Sequence, residues 1–390
     1  MCIGIFCSRK GCFYAFYGGK MFLVKLALVN FRNYRKCSIK LSKSVNIFIG
    51  NNSQGKTNIL EAIYVLAVTK SHRFGEQENL IKKEEQMAKV KGTLKLEKIY
   101  KDLEVDIGKN HKTTYINNTE IRKKQDYITN LNVILFTPDD LEIIKGSPMI
   151  RRNLLNIEIS QMDKNYIKYL NEYNKILKNR NEYLKSMYIN HLSDYRYLDI
   201  LTEKLIDRAV MIYKYRMDFL HNINADIGKI YESITGYKNL HIVYQNSLDI
   251  YEFDEEKIRN SLRLKLEKNY ERQLQLGSTL YGPHRDDFLF YIGEDNVRIF
   301  SSQGSQRLAV IAFKLSEISI FKEKTGHVPI LLLDDIFSEI DSKKKRKLIS
   351  FIPEDVQTII TATDLKNVNK KLLKNSKIFE VFCGNIRERE

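Results

Sequence analysis

Residues 45–57, VNIFIGNNSQGKT, constrain the fold more than any other stretch of the chain. An apolar strand-like run, VNIFI, ends at Gly50. The octet Gly50-Asn51-Asn52-Ser53-Gln54-Gly55-Lys56-Thr57 follows and meets the pattern GxxxxGK[ST]. From Thr57 to Val68 apolar residues then recur at helical spacing. A strand that stops at a glycine-bounded loop and passes directly into a helix is built to cradle phosphate. The glycines permit positive φ and close backbone approach, so successive N–H groups can turn inward on an anion. The start of the helix adds its partial positive charge. Lys56 is expected to reach the outer phosphates of ATP, and the Thr57 hydroxyl to bind Mg²⁺, with Asn58 closing the candidate set.

Such a cradle needs carboxylates. Ile330-Leu331-Leu332-Leu333-Asp334-Asp335 supplies them: a buried-type strand ending in two acids, with Asp334 lying 277 residues after Thr57. Asp334 is expected at the metal and Asp335 at the attacking water. A pair of aspartates after an apolar strand is common, since carboxylates also cap helices. Its force comes from the pairing with the loop.

A third element narrows the class. Ser301-Ser302-Gln303-Gly304-Ser305-Gln306-Arg307 precedes an amphipathic helix and stands a short way upstream of the carboxylate strand. It resembles the signature of ABC ATPases, a helix N-terminus that touches nucleotide held by a second subunit. The resemblance puts Ser302, Gln303, Gly304 and Gln306 at that trans contact. Ser338-Glu339-Ile340-Asp341 resembles the D-loop that follows the carboxylates, with Ser338 and Asp341 as its candidate residues.

Further landmarks are LVNFRNY (28–34), SHR (71–73), LFTPDDLEIIKGSPMIRR (135–152), GPHRDD (282–287) and LLLDDIFSEID (331–341). With the loop and the signature they cover nearly the whole chain from Met21, and the chain is similar to the RecF family of ABC/SMC-type head ATPases. The resemblance implies an α/β fold: an ABC-type P-loop ATPase head with a helical second lobe and no long coiled coil. It also implies ATP and Mg²⁺ as cofactors, ATP-dependent homodimerisation on DNA at gaps or single-strand/duplex junctions, slow hydrolysis, and RecO and RecR as partners in loading recombinase. Two departures bear on activity. Ser305 stands where the signature usually has Gln, and Asp335 is one methylene shorter than the usual Glu, which favours slow turnover.

Composition fits a nucleic-acid partner without requiring one. Lys and Arg number 64 against 48 acids, a formal net charge of +16. The five cysteines, at 2, 7, 12, 37 and 383, show no CxxC spacing and fit neither a disulfide framework nor a zinc site, so a reducing cytoplasmic setting is expected. No apolar run approaches the roughly 18 residues of a membrane span. Residues 1–20 lack a signal-peptide pattern and are expected to be a dispensable extension or a start-site misassignment.

Four segments are expected: the extension 1–20; 21–147, the N-terminal part of the ATPase lobe; 148–279, a helical lobe; and 280–390, the rest of the ATPase lobe. Leu170, Leu177 and Leu184, then Leu198, Leu205, Ile212 and Phe219, recur every seventh residue on either side of a break near 190–193. That spacing describes a short antiparallel hairpin or two ordinary packed helices. In the last segment, DDFLFYI, NVRIF, VPILLL and VQTIITAT are expected as strands, and 303–321 and 342–351 as helices.

Weaker patterns have plainer readings. GPHRDD at a turn suits hydrogen-bonding scaffold better than a metal site. Arg151-Arg152 could hold DNA phosphate or be ion-paired. Lys343–Lys347 fits the wet face of a helix. Two other functions remain open at this level, a transporter ATPase subunit and a non-hydrolysing nucleotide-dependent scaffold. Against the transporter, the signature comes far downstream of the loop, and Thr363 and Asp364 occupy the place of a switch histidine.

Overall fold

The structure, a computed structural model, describes residues 20–73, 75–191, 194–336, 341–365, 373 and 376–389. The proposed extension and Ser338 therefore lie outside the described residues, apart from Lys20.

Among the described residues, two six-stranded sheets enclose helix α1 (Lys56–Val68). The first, antiparallel, holds β1 (Met21–Phe31), β2 (Tyr34–Lys40), β4 (Met87–Leu96), β5 (Ile99–Gly108), β6 (Lys112–Ile116) and β7 (Thr119–Glu120), in the order β2-β1-β4-β5-β6-β7. Its strands alternate buried and open positions, as a sheet with one wet face should. The second holds β3 (Val45–Ile49), β8 (Val133–Phe136), β12 (Ile330–Asp334), β13 (Thr358–Ala362), β14 (Ser376–Phe382) and β15 (Asn385–Arg389), ordered β15-β14-β3-β13-β12-β8. Every pairing in it is parallel except β14 with β15. β3, β8, β12 and β13 are buried along their whole length, the mark of a sheet covered on both faces. Helix α1 lies between the sheets and is buried on nearly every side, because apolar residues from Ile59 to Val68 face both ways and its one acid, Glu61, is paired inside.

The chain then turns helical. After α2 (Lys124–Ile128) and α3 (Glu142–Lys145) come α4 (Pro148–Met162), α5 (Lys164–Asn190) and α6 (Tyr195–Thr235). α5 and α6 pack together, and Leu184, Leu198, Leu205, Ile212 and Phe219 are buried while Leu170 and Leu177 are partly so. The hairpin is longer than a few turns: α6 has 41 residues, about 60 Å of helix. It also packs against α10 (Gln303–Thr325), so α6 is both hairpin arm and core helix of the head. α7 (Glu255–Lys268) and α8 (Tyr270–Leu276) close the helical segment.

β9 (Leu240–Gln245), inside the segment expected to be helical, pairs with β10 (Asp287–Ile292), which carries the two-residue β11 (Asp295–Asn296) on its other side. This small sheet crosses the expected boundary at 280. NVRIF does not form a strand. Gly293, at φ 60°, turns the chain so that only β11 returns along β10, and Asn296 then caps α9 (Val297–Phe300) by accepting from the Arg298 N–H at 2.9 Å. α11 (Ser342–Ser350) follows the carboxylate strand.

Candidate functional site

β3 delivers the loop from the middle of the parallel sheet. Gly50 sits at φ 154° and Gly55 at φ 110°. A Cβ at Gly50 would stand 2.4 Å from the Val381 carbonyl oxygen, and one at Gly55 2.4 Å from the Asn33 amide, so both positions need glycine. Asn51, Asn52 and Ser53 are exposed along the rim. Lys56 Nζ donates to the carbonyls of Gly50 (2.6 Å) and Asn51 (2.8 Å), which draws the ammonium across the mouth of the loop. Burial pushes the Lys56 pKa down, and the charges of Asp335 and Asp334 oppose that.

Asp334, 6 % exposed at the end of β12, joins the loop to the sheet. Its Oδ1 accepts from the Thr57 hydroxyl at 2.9 Å and from the Thr361 hydroxyl on β13 at 2.6 Å. Burial raises the Asp334 carboxyl, and those two bonds work against the rise. Asp335 has left-handed backbone, φ 48°, and its N–H donates to Thr361 Oγ1 at 3.1 Å. Thr361 was invisible in sequence, where TIITA is only a buried strand.

The surroundings brace the loop. Gln54 takes no outward role: its side-chain oxygen accepts from the Cys383 N–H at 2.7 Å, and its carbonyl accepts from Asn33 Nδ2 at 3.0 Å. Tyr34 donates its hydroxyl to the Gly55 carbonyl at 3.0 Å. Asn58 is likewise turned away to neighbours, donating to Asn33 Oδ1 (2.8 Å) and accepting from Arg73 (3.0 Å). One turn further, the buried Glu61 accepts two bonds from Arg32, at 2.9 and 2.6 Å, and one from the Ser71 hydroxyl at 2.6 Å. Burial alone would raise the Glu61 carboxyl, but Arg32 and Ser71 hold it below the ordinary range. The LVNFRNY and SHR segments thus act as struts around the loop and α1.

Ser302 caps α10, its hydroxyl accepting from the Ser305 N–H at 3.3 Å. Ser302, Gln303 and Gly304 are exposed, and a Cβ on Gly304 would meet nothing within 4 Å. Gln306 departs from the expectation. It is 4 % exposed, and its amide nitrogen donates toward the carbonyls of Val297, Arg298 and Ser301, each at 3.2 Å. It fastens α9 under the helix tip instead of pointing outward with Ser302. Asp341 caps α11, accepting from the N–H groups of Lys343 and Lys344.

GPHRDD is scaffold. His284 bonds to the Tyr173 hydroxyl (2.6 Å) and the Thr279 carbonyl (3.1 Å), and the buried Asp286 accepts from the Tyr244 hydroxyl at 2.7 Å. Burial pushes Asp286 up to about 6. Arg151 is 1 % exposed and paired with Asp287, which removes it from any DNA surface. Among the described residues no cluster of His, Cys, Asp and Glu could hold a metal ion by itself, and no helix is long and apolar enough to cross a membrane.

Two sheets around a buried helix, with a glycine-bounded loop facing a carboxylate strand, define a P-loop head of the ABC/SMC type. The model of the RecF/RecN/SMC N terminal domain matches residues 22–385. The head domain of Smc from Pyrococcus furiosus shares the fold, with a TM-score of 0.54 at 17 % identity over 95 % of this chain and 96 % of that one. The chain belongs to the RecF family. The DNA replication and repair protein RecF of Listeria monocytogenes serotype 4b is 40 % identical over 369 residues, 94 % of this chain and all of that protein. RecF of Bacillus cereus is 38 % identical over 368 residues, 94 % of this chain and 98 % of that protein. A solved structure of the recombination mediator RecF with ATP, of the RecFOR pathway, superposes with a TM-score of 0.88 at 34 % identity, covering 96 % of this chain and 99 % of that one. Membership sets aside the transporter subunit.

Proposed function

We propose that the chain binds and slowly hydrolyses ATP, closes as a homodimer around it on DNA, and acts in recombinational repair and replication restart with RecO- and RecR-type partners. The observation that carries the reading is the join at Asp334, which ties the loop through Thr57 to the carboxylate strand. The donors present suit Mg²⁺: a hydroxyl and a carboxylate are the hard oxygens it prefers, and Thr57 keeps lone pairs free while its proton is given to Asp334. Thr57 and Asp334 would hold the ion, which when bound neutralises phosphate charge. Lys56 and the loop N–H groups take the phosphates, and Asp335 orients water. Exposed Ser302, Gln303 and Gly304 at an unobstructed helix tip support a contact with nucleotide on a second copy. The short Asp335 supports a timed clamp over a motor.

The test compares hydrolysis and oligomeric state, with and without gapped duplex DNA, for wild type, Lys56→Ala and Ser302→Arg. Lys56→Ala should lose nucleotide binding. Ser302→Arg should bind ATP yet stay monomeric. A wild-type protein that holds ATP at saturation and remains single would end the sandwich reading. Single-turnover phosphate release separates a hydrolase from a scaffold.

A further inference from the structure

The Thr361 hydroxyl is used twice. It donates to Asp334 Oδ1 and accepts from the Asp335 backbone N–H. A hydroxyl owns one proton, so the two bonds fix its direction, proton toward Asp334 and lone pair toward Asp335. Thr57 donates to the same Oδ1, so one oxygen of that carboxylate takes both donors and its orientation is set at once from the start of α1 and from β13. Asp335 is a non-glycine residue in left-handed backbone, a strained state that persists only where neighbours enforce it. The bond from its N–H to Thr361 is one such constraint.

We propose that Thr361 is a positioning residue for the ATPase site, orienting Asp334 toward the metal and fixing the backbone turn that presents Asp335. The inference rests on the ATPase reading above. Thr361 is 1 % exposed and works through the two aspartates, not on nucleotide. Its β-branched shape suits β13, and valine keeps that shape while removing the hydroxyl.

Thr361→Val and Thr361→Ser are compared with wild type by titration of a fluorescent ATP analogue, in EDTA and in excess Mg²⁺, and by kcat for ATP. In EDTA all three proteins should bind alike, since the loop is untouched. In Thr361→Val the tightening of binding by Mg²⁺ should shrink about tenfold, and kcat should fall about ten- to a hundredfold, the scale of one hydrogen bond to a charged group. Thr361→Ser should restore both. The proposal is overturned if valine matches wild type, if serine fails as valine does, or if valine also loses binding in EDTA. Absence of hydrolysis in wild type would remove the ATPase reading, while the Mg²⁺ titration would still judge Thr361.

Discussion

Arg151 and Asp287, 136 residues apart in the chain, are locked together by two hydrogen bonds of 2.7 and 2.8 Å. The same guanidinium donates to the carbonyls of Ile143 and Gly146, both at 3.0 Å. One arginine therefore holds the start of α4, the end of α3 and the first residue of β10, where the helical segment meets the returning sheet.

Removing that arginine should cost stability and leave DNA contacts alone. Arg151→Met should destabilise the fold by about 3–5 kcal/mol, because Asp287 and the carbonyls lose their donor in a buried site. Urea denaturation measures this. The salt dependence of DNA binding by the folded variant should match wild type, since a residue that touches no phosphate contributes nothing to the slope.

Gln306 should matter to assembly more than to nucleotide. Gln306→Ala releases the α9 turn and should lower stability by about 1–2 kcal/mol. ATP-dependent dimerisation, followed by sedimentation, should weaken while ATP binding by the monomer stays at the wild-type level. If the dimer is unaffected, α9 has no part in presenting the helix tip.

Asn33→Ala should loosen the loop with little loss of fold. The side chain makes one bond to Gln54 and one to Asn58. Without them the loop must be ordered by the ligand, and ATP affinity should drop about tenfold. Calorimetric titration against thermal unfolding separates the two effects.

A buried acid pair should make stability fall as pH rises. Glu158 on α4 and Glu317 on α10 are buried, and both Glu317 oxygens lack a hydrogen-bond partner among the described residues. Tyr64 of α1, Asp140 and Lys314 face them. Burial pushes Glu158 up to about 8, against the pull of Lys314. The folded state thus keeps its proton while the unfolded chain releases it near the usual carboxylate value of about 4.3. Below that value both states are protonated and nothing is lost; between it and about pH 8 the unfolded state binds fewer protons and stability declines. Glu158→Gln should flatten the decline, so that its urea midpoint gains on wild type as pH rises from about 4 to about 8.

Much of this was legible because short motifs carry their own mechanics. GNNSQGKT needs a strand before it and a helix after it, and both are there. What stayed hidden was long-range. Thr361 bonds to Asp334 only because β13 lies beside β12, which no local pattern records. β14 and β15 escaped notice, although KIFEVF alternates, because nothing nearby marked where they pair. NVRIF has strand composition, yet the turn at Gly293 and the Gln306 amide make it helical. Gln306 itself was misassigned because a motif fixes sequence position but not which way a side chain faces.

β3 finds its two neighbours in the sheet only among residues 358–362 and 376–382. On the ribosome, VNIFI therefore leaves the exit tunnel with both edges open and waits on the order of tens of seconds, at typical elongation rates, for the strands that will flank it. During that interval the newborn segment is a sticky apolar ribbon that cannot yet hold nucleotide, so ATP cannot guide its early folding, and chaperone shielding has its greatest value before the C-terminal strands are made.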